Sequence, residues 1–350
     1  MSQSDESLSP AVSSAGFSTF AEAKFSLEAT LASYQELNTD DDTKEFLETC
    51  FKYLPLDGQV NLSENVCGCR DDELRQLATS IDTGLLRPLL SKGGRGKTPA
   101  IAPSPRASFS DSVENILSRD LSPASLNVQE RLRGICLKRD GYQCTISKIW
   151  SSGVEPPSGE HSGTLQAVHI IPFALGRFTN DDERQNTSEV WANIFRYFPA
   201  LNDTLNMSPE DVNHESNMMM MITPLHEEFA RFHFVLEATE TPNRYRLKQF
   251  PRFASDYTTI FFPRNGTVTL TSHDPNCHLP EPLYLQLHAA IGNILHASGR
   301  VDKIEKLIGD LRETGGFGLS KDGSTNVGDL LSVSQLSLLA SDSPIHSKVR

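Results

Sequence analysis

The chain lacks any apolar run near the eighteen or so residues that a membrane-spanning helix requires, so no transmembrane helix is predicted. Its opening residues, MSQSDESLSP, are polar and acidic, without the basic start and apolar stretch of a secretory signal. The expectation is a soluble intracellular protein, in the nucleus or the cytoplasm, with no membrane partner. Cysteine is scarce, six in 350 residues, and no two stand as C-x-x-C, so a zinc ribbon is not supported. A chain this long needs no disulfides for stability. Basic residues are outnumbered, 32 Lys+Arg against 45 Asp+Glu, for a net charge of −13. That balance does not point to a protein that coats nucleic acid by charge alone, and it leaves room for a local basic strip that holds one phosphate.

Hydrophobic residues at 38% and charged residues at 22% are slightly below the shares usual for a compact protein, which predicts some disorder. Residues 1–20 are Ser-rich and are expected to be a disordered tail. From 21 to 90 the pattern is helical: Phe46, Leu47, Cys50, Phe51 and Leu54 recur at offsets of three and four until Pro55 and Gly58. Leu74, Leu77, Ile81, Leu85 and Leu86 make a second amphipathic stretch that is expected to end near Pro88. The region is predicted to be a helical accessory unit. Residues 91–112 carry the Gly, Pro and Ser of a linker, and GGRGK within them lacks the spacing of a phosphate loop.

A central unit over 113–275 follows. A helix carrying Val128, Leu132, Ile135, Cys136 and Leu137 has Arg131, Arg133, Lys138 and Arg139 placed on its outer side. Asp140-Gly141 turns the chain into a predicted strand over 142–146, and TLQAVHIIPFAL makes a second strand. A helix over 187–198 buries Val190, Trp191, Ile194 and Phe195. Residues 245–262 show strand-like alternation. Helix resumes over 283–311, within a C-terminal extension at 276–312, and residues 313–350 are expected to be mostly a disordered tail. The class is α+β.

Three short pieces carry chemistry. His169 lies at the end of an apolar strand that Pro172 stops, and an imidazole there is able to take a proton from water near neutral pH. His226 follows Thr223 and Pro224, good residues for a helix start, and is offset from the stripe of Leu225, Phe229 and Phe232, so its ring can point into the groove beside that helix and offer one nitrogen to a cation. Asn217 precedes Met218–Met221; four consecutive methionines on a strand alternate faces and are read as core packing, not a copper site. Taken singly, each histidine is more often structural than functional.

The order AVHIIP, then NMMMM, then L-H-x-x-F, preceded by Asp140-Gly141-Tyr142-Gln143-Cys144, resembles the HNH nuclease family, in the branch frequent in fungal proteins. The resemblance covers about 120–140 central residues. It implies a ββα-metal domain with an inserted helix, flanked by helical regions. His169 and Asn217 would form the catalytic set, the first activating water and the second ordering the loop, while His226 binds a divalent ion, Mg²⁺, Mn²⁺ or Zn²⁺. The implied activity is metal-dependent hydrolysis of phosphodiester bonds in DNA. Arg131, Arg133, Lys138, Arg139 and Arg231 are the candidate nucleic-acid contacts. Two positions depart from the family pattern: Val168 stands where many members carry a metal-ligating Asp or His, and Ala230 where an Asp often follows L-H-x-x-F. His214, Glu215, Asp203 and Asp211 are candidate replacement ligands, and His233 is expected to be structural. The alternative function is an inactive HNH-fold module that binds nucleic acid or a protein partner.

Overall fold

Helical structure begins at Thr19, whose hydroxyl accepts from the Glu22 amide while the Glu22 carboxylate accepts from the Thr19 amide. This reciprocal cap satisfies donors that the first turn would leave open. The computed structural model describes residues 19–92, 101–119, 128–178 and 180–313; the predicted tails thus lie almost wholly outside the described residues, as does the GGRGK part of the linker.

Five helices form the N-terminal layer: α1 (Phe20–Ser33), α2 (Thr43–Tyr53), α3 (Leu56–Cys67), α4 (Asp71–Ile81) and α5 (Arg87–Lys92). Phe46, Leu47, Cys50 and Leu54 point inward as their spacing predicts, and so do Leu74, Leu77 and Ile81. The helix does not stop before Pro88. A π-helical turn, Asp82–Leu86, joins α4 to α5, and Pro88 takes an early position in α5, where a missing N–H costs little.

Helices α6 (Phe109–Leu117) and α7 (Gln129–Arg139) lead into the central unit. The strand predicted over 142–146 is instead a tight turn with a single bridge between Gln143 and Trp150. Gly141 and Tyr142 both take positive φ, 64° and 58°, so no extended pairing can form there. Two short parallel strands, β1 (Trp150–Ser151) and β2 (Ser162–Gly163), precede β3 (Leu165–His169). After a 3-10 turn at Phe173–Gly176 comes α8 (Asp181–Tyr197), capped by Asn180 and longer at its start than the sequence suggested. Val190, Trp191 and Ile194 are buried on it as expected.

Helix α8 lies against α3 and the π turn, and two glycines allow this. A Cβ on Gly58 would come within 2.0 Å of the Tyr197 carbonyl oxygen, and one on Gly84 within 2.4 Å of Asn193 Nδ2. The insert of the central unit is therefore seated on the N-terminal helices.

The chain continues through α9 (Ala200–Asp203) to β4 (Met218–Ile222), which pairs antiparallel with β3, Leu165 opposite Ile222 and His169 opposite Met218. All four methionines are buried, as core packing requires. Helix α10 (Thr223–Ala230) follows at once; Ile222 takes the cap position, and Thr223 falls inside the helix.

Strands β5 (Phe234–Ala238) and β6 (Arg244–Gln249) form an antiparallel sheet completed by β7 (Thr267–Thr269), with α11 (Ser255–Phe261) between β6 and β7. The predicted alternation over 245–262 thus holds only to Gln249. Beyond it Pro251, which has no N–H to donate, stands in a turn, and Ser255 opens a helix. Helices α12 (Pro282–Ala297) and α13 (Arg300–Glu313) replace the single helix expected over 283–311. Gly299, at φ 66°, makes the break between them. Helix α12 packs on β5 and α2, and one apolar core runs from Leu27 to Ile304. Among the described residues no helix is long and apolar enough to cross a membrane.

Candidate active site of the ββα unit

Strands β3 and β4 and helix α10 form a ββα unit anchored by a buried ion pair. Arg139, at the end of α7, has no exposed surface. Its Nε and Nη2 donate to the two oxygens of Asp140 at 2.7 and 3.0 Å, and the same guanidinium donates to the carbonyls of Glu215, Met218 and His278. Asp140 in turn accepts from the Met220 amide at 2.9 Å. The Asp140-Gly141 pair therefore ties α7 to β4. Arg139 cannot serve as a nucleic-acid contact: it is sealed in the core and its donors are spent on backbone carbonyls and Asp140.

Asn217 is fully buried and pins the exit of β3. Its Oδ1 accepts from the Ile171 amide at 2.8 Å, while Nδ2 donates to the carbonyls of Ile171 and Val212 at 2.9 and 2.8 Å. The Asn217 carbonyl accepts from the Ile170 amide at 2.9 Å. With its whole side chain committed to the backbone, Asn217 fixes the residues on either side of His169 and is a positioning residue.

His169 sits where β3 ends, its ring 5.3 Å from that of Phe173. Its Nε2 is buried with no hydrogen-bond partner. Burial, with a smaller contribution from the nearby His226, pushes the imidazole down to about 4, so it is neutral at physiological pH. His226, on α10, is also held below the ordinary imidazole range, by burial. The two rings, 57 residues apart in sequence, are close enough for the charge of one to act on the other.

Gln166, three residues before His169 on β3, makes the contact that organises His226: its Oε1 accepts from Nδ1. The proton is therefore on Nδ1, and Nε2 presents its lone pair. A histidine that holds a cation is commonly set in this way, its far nitrogen donating to a fixed acceptor. The sequence reading missed Gln166, since only the β3–α10 packing shows it to be a partner of His226. It missed Arg177 as well, an exposed side chain stacked 5.7 Å over the Phe173 ring that lies against His169.

The two departures in the motif are real apolar positions. Val168 is buried in the core and Ala230 ends α10 without a donor. Nor is His214 a replacement ligand brought to the histidine pair: it lies at the surface, bonding Ser216 and pairing with Glu215, its ring 6.1 Å from that of His278. Among the described residues no group of three or more His, Cys, Asp or Glu is arranged to hold a metal ion. Among the described residues no prebuilt cage is present, so a cation here would have to be held by a single imidazole with water and phosphate oxygens. His233 is structural, buried between Glu228 at 3.0 Å and Glu305 at 3.4 Å.

Residues 144–237 match the family model described as HNH endonuclease. This segment is an HNH-family domain. No curated protein and no solved structure matches the chain. The match begins at Cys144 and ends on β5, so it encloses β3, the α8 insert, β4 and α10, and with them His169, Asn217 and His226. Nuclease-type function follows in general from that family. Around the HNH segment, Arg131, Arg133 and Lys138 are exposed on α7, with Arg133 Nη2 also donating to the Leu165 carbonyl at 3.2 Å, and Arg231 is exposed just past α10.

Proposed function

We propose that the HNH segment is an endonuclease site that hydrolyses phosphodiester bonds in DNA, with His169 as general base and His226 as the residue that holds a divalent cation. The observation that carries this reading is the unpartnered, buried Nε2 of a neutral His169 beside a His226 whose free nitrogen is set by Gln166. When bound, a Mg²⁺, Mn²⁺ or Zn²⁺ ion would supply charge stabilisation at the scissile phosphate. His169 takes the proton of the attacking water at its imidazole. Asn217 keeps β3 and the following loop from moving, so the ring stays aimed. Arg177, Arg131, Arg133, Lys138 and Arg231 offer charge to flanking phosphates.

Nicking of supercoiled plasmid by purified full-length protein with Mg²⁺, Mn²⁺ or Zn²⁺ tests the proposal. His169→Ala should abolish nicking while the folded spectrum is unchanged. A second reading, an HNH-fold module that binds nucleic acid or a protein partner without turnover, is favoured by the apolar side chains at Val168 and Ala230. Under it, folded protein retains DNA in a shift assay with no cleavage in any of the three ions.

A further inference from the structure

Helix α10 is only eight residues long, so its two ends set where it lies. The front end is tied to β3 by the bond between His226 and Gln166. The rear end leaves the helix through Phe232, a bulky residue held at φ 58°. Few residues other than glycine take that left-handed conformation, and it persists only where the surroundings enforce it.

The enforcement comes from α12. His288, Gly292 and His296 follow one another at intervals of four, which places all three on one face of that helix. A Cβ on Gly292 would lie 2.6 Å from Val235 Cγ1 and 3.4 Å from Phe232 Cδ1, so a side chain there would push α12 away. The close approach brings both imidazoles onto the end of α10. His288 Nε2 donates to the Phe229 carbonyl at 3.2 Å, and His296 Nε2 donates to the Phe232 carbonyl at 2.8 Å. Partners within the helix run out for carbonyls at this end.

The rings add contacts of their own. His288 stacks on Phe229 and Phe232 at centroid distances of 3.8 and 4.3 Å, and His296 stacks on Phe250 at 3.9 Å. Burial keeps both imidazoles below their ordinary range, so each is neutral and has one N–H to give. That hydrogen is spent on α10. Both histidines lie beyond residue 237, where the HNH match ends.

We propose that His288 and His296 are positioning residues of the nuclease site, holding the rear of α10 and thereby fixing how His226 meets Gln166. The inference rests on the reading of His226 as the residue that holds a cation, and it makes α12 part of the site's machinery. With the rear released, the two turns of α10 pivot about their start. The His226 ring then leaves Gln166 and exchanges between its two tautomers.

Nitrogen NMR of the imidazoles in the full chain reads this directly, with His226→Gln assigning the signal. Wild-type His226 should show a protonated Nδ1 and a bare Nε2. His296→Leu, which removes the donor, and Gly292→Ala, which moves α12 outward, should each give averaged nitrogen signals in folded protein. Should one of them not fold, the other carries the test. His296→Gln keeps an N–H and should restore the single tautomer, a rescue that lost packing alone does not predict. In nicking assays the half-saturating Mn²⁺ concentration should rise about tenfold in His296→Leu, the lower end of what outer partners of a ligand carry. A tautomer that stays fixed in the folded variants, or no rescue by His296→Gln, overturns the proposal. Wild-type protein that cuts no DNA, while its variants lose the fixed tautomer, overturns the endonuclease reading and leaves the positioning role standing.

Discussion

Burial gives His169 a low affinity for protons, and that fixes how a reaction using it should respond to pH. The base must be unprotonated, so the rate rises with pH through the imidazole titration and is level above it. With the ring at about 4, nicking should be flat from neutrality down to about pH 5 and fall only below that. A half-maximal rate near pH 6.5 would mean an ordinary, solvated imidazole. Gln166 has a separate signature. Gln166→Leu removes the acceptor that sets the His226 tautomer. A loss of about 10–100-fold in metal-dependent nicking is expected, with little change in thermal midpoint, because partners of this kind tune a ligand more than they stabilise a fold. Equal activity in the variant would show that His226 needs no such orientation.

The ββα unit depends on polar pins at its ends. Asn217→Ala would strand the Ile171 amide and the carbonyls of Ile171 and Val212 in the interior. With about 1–3 kcal/mol for each buried group left unsatisfied, a loss of roughly 3 kcal/mol is expected in urea unfolding. A change below about 0.5 kcal/mol, the size typical of surface substitutions, would contradict the role given to Asn217. The motif residues were legible in sequence because strand end, turn and helix start each have local signatures: Pro172 after His169, Asn217 before the methionines, Pro224 before His226. The pins were not. Arg139 sits among charged neighbours on α7 and looks like part of an exposed basic face; only its contacts with Asp140, Glu215, Met218 and His278, up to 139 residues away, put it in the core. The turn at Gly141-Tyr142 and the helix α11 eluded the reading for a similar reason. Apolar alternation in a short segment does not distinguish a strand from a packed turn or a two-turn helix.

At the scale of the whole molecule, the helical layer, the HNH segment and the C-terminal helices share one core, and ion pairs close their seams. Arg300 on α13 pairs with Asp42 at 2.9 Å and lies 3.4 Å over the Phe46 ring. Buried histidines make this core sensitive to acid. His288 stacks on Phe229, ring centroids 3.8 Å apart, and burial holds it down to about 3. Both His288 and His169 are depressed, so the unfolded chain binds protons that the folded chain refuses once the pH falls below about 6.5. Stability present above that value is lost on descent through about 4 for His169 and about 3 for His288. His233 acts in the opposite sense, being raised by Glu305 and Glu228 against the cost of its burial. His288→Leu should therefore flatten the decline of unfolding free energy between pH 6.5 and 4.5, whatever it does to absolute stability. An unchanged slope would show that His288 titrates freely in the native state.

The meeting of two imidazoles from distant parts of the chain underlies the proposed activity, and plasmid nicking tests it most directly. Wild-type protein should convert supercoiled DNA to open circles with a divalent ion, and His169→Ala and His226→Ala should each stop it while remaining folded. Folded wild-type protein that leaves the plasmid intact in Mg²⁺, Mn²⁺ and Zn²⁺, or a His169→Ala variant that cuts as well as the parent, would contradict the account.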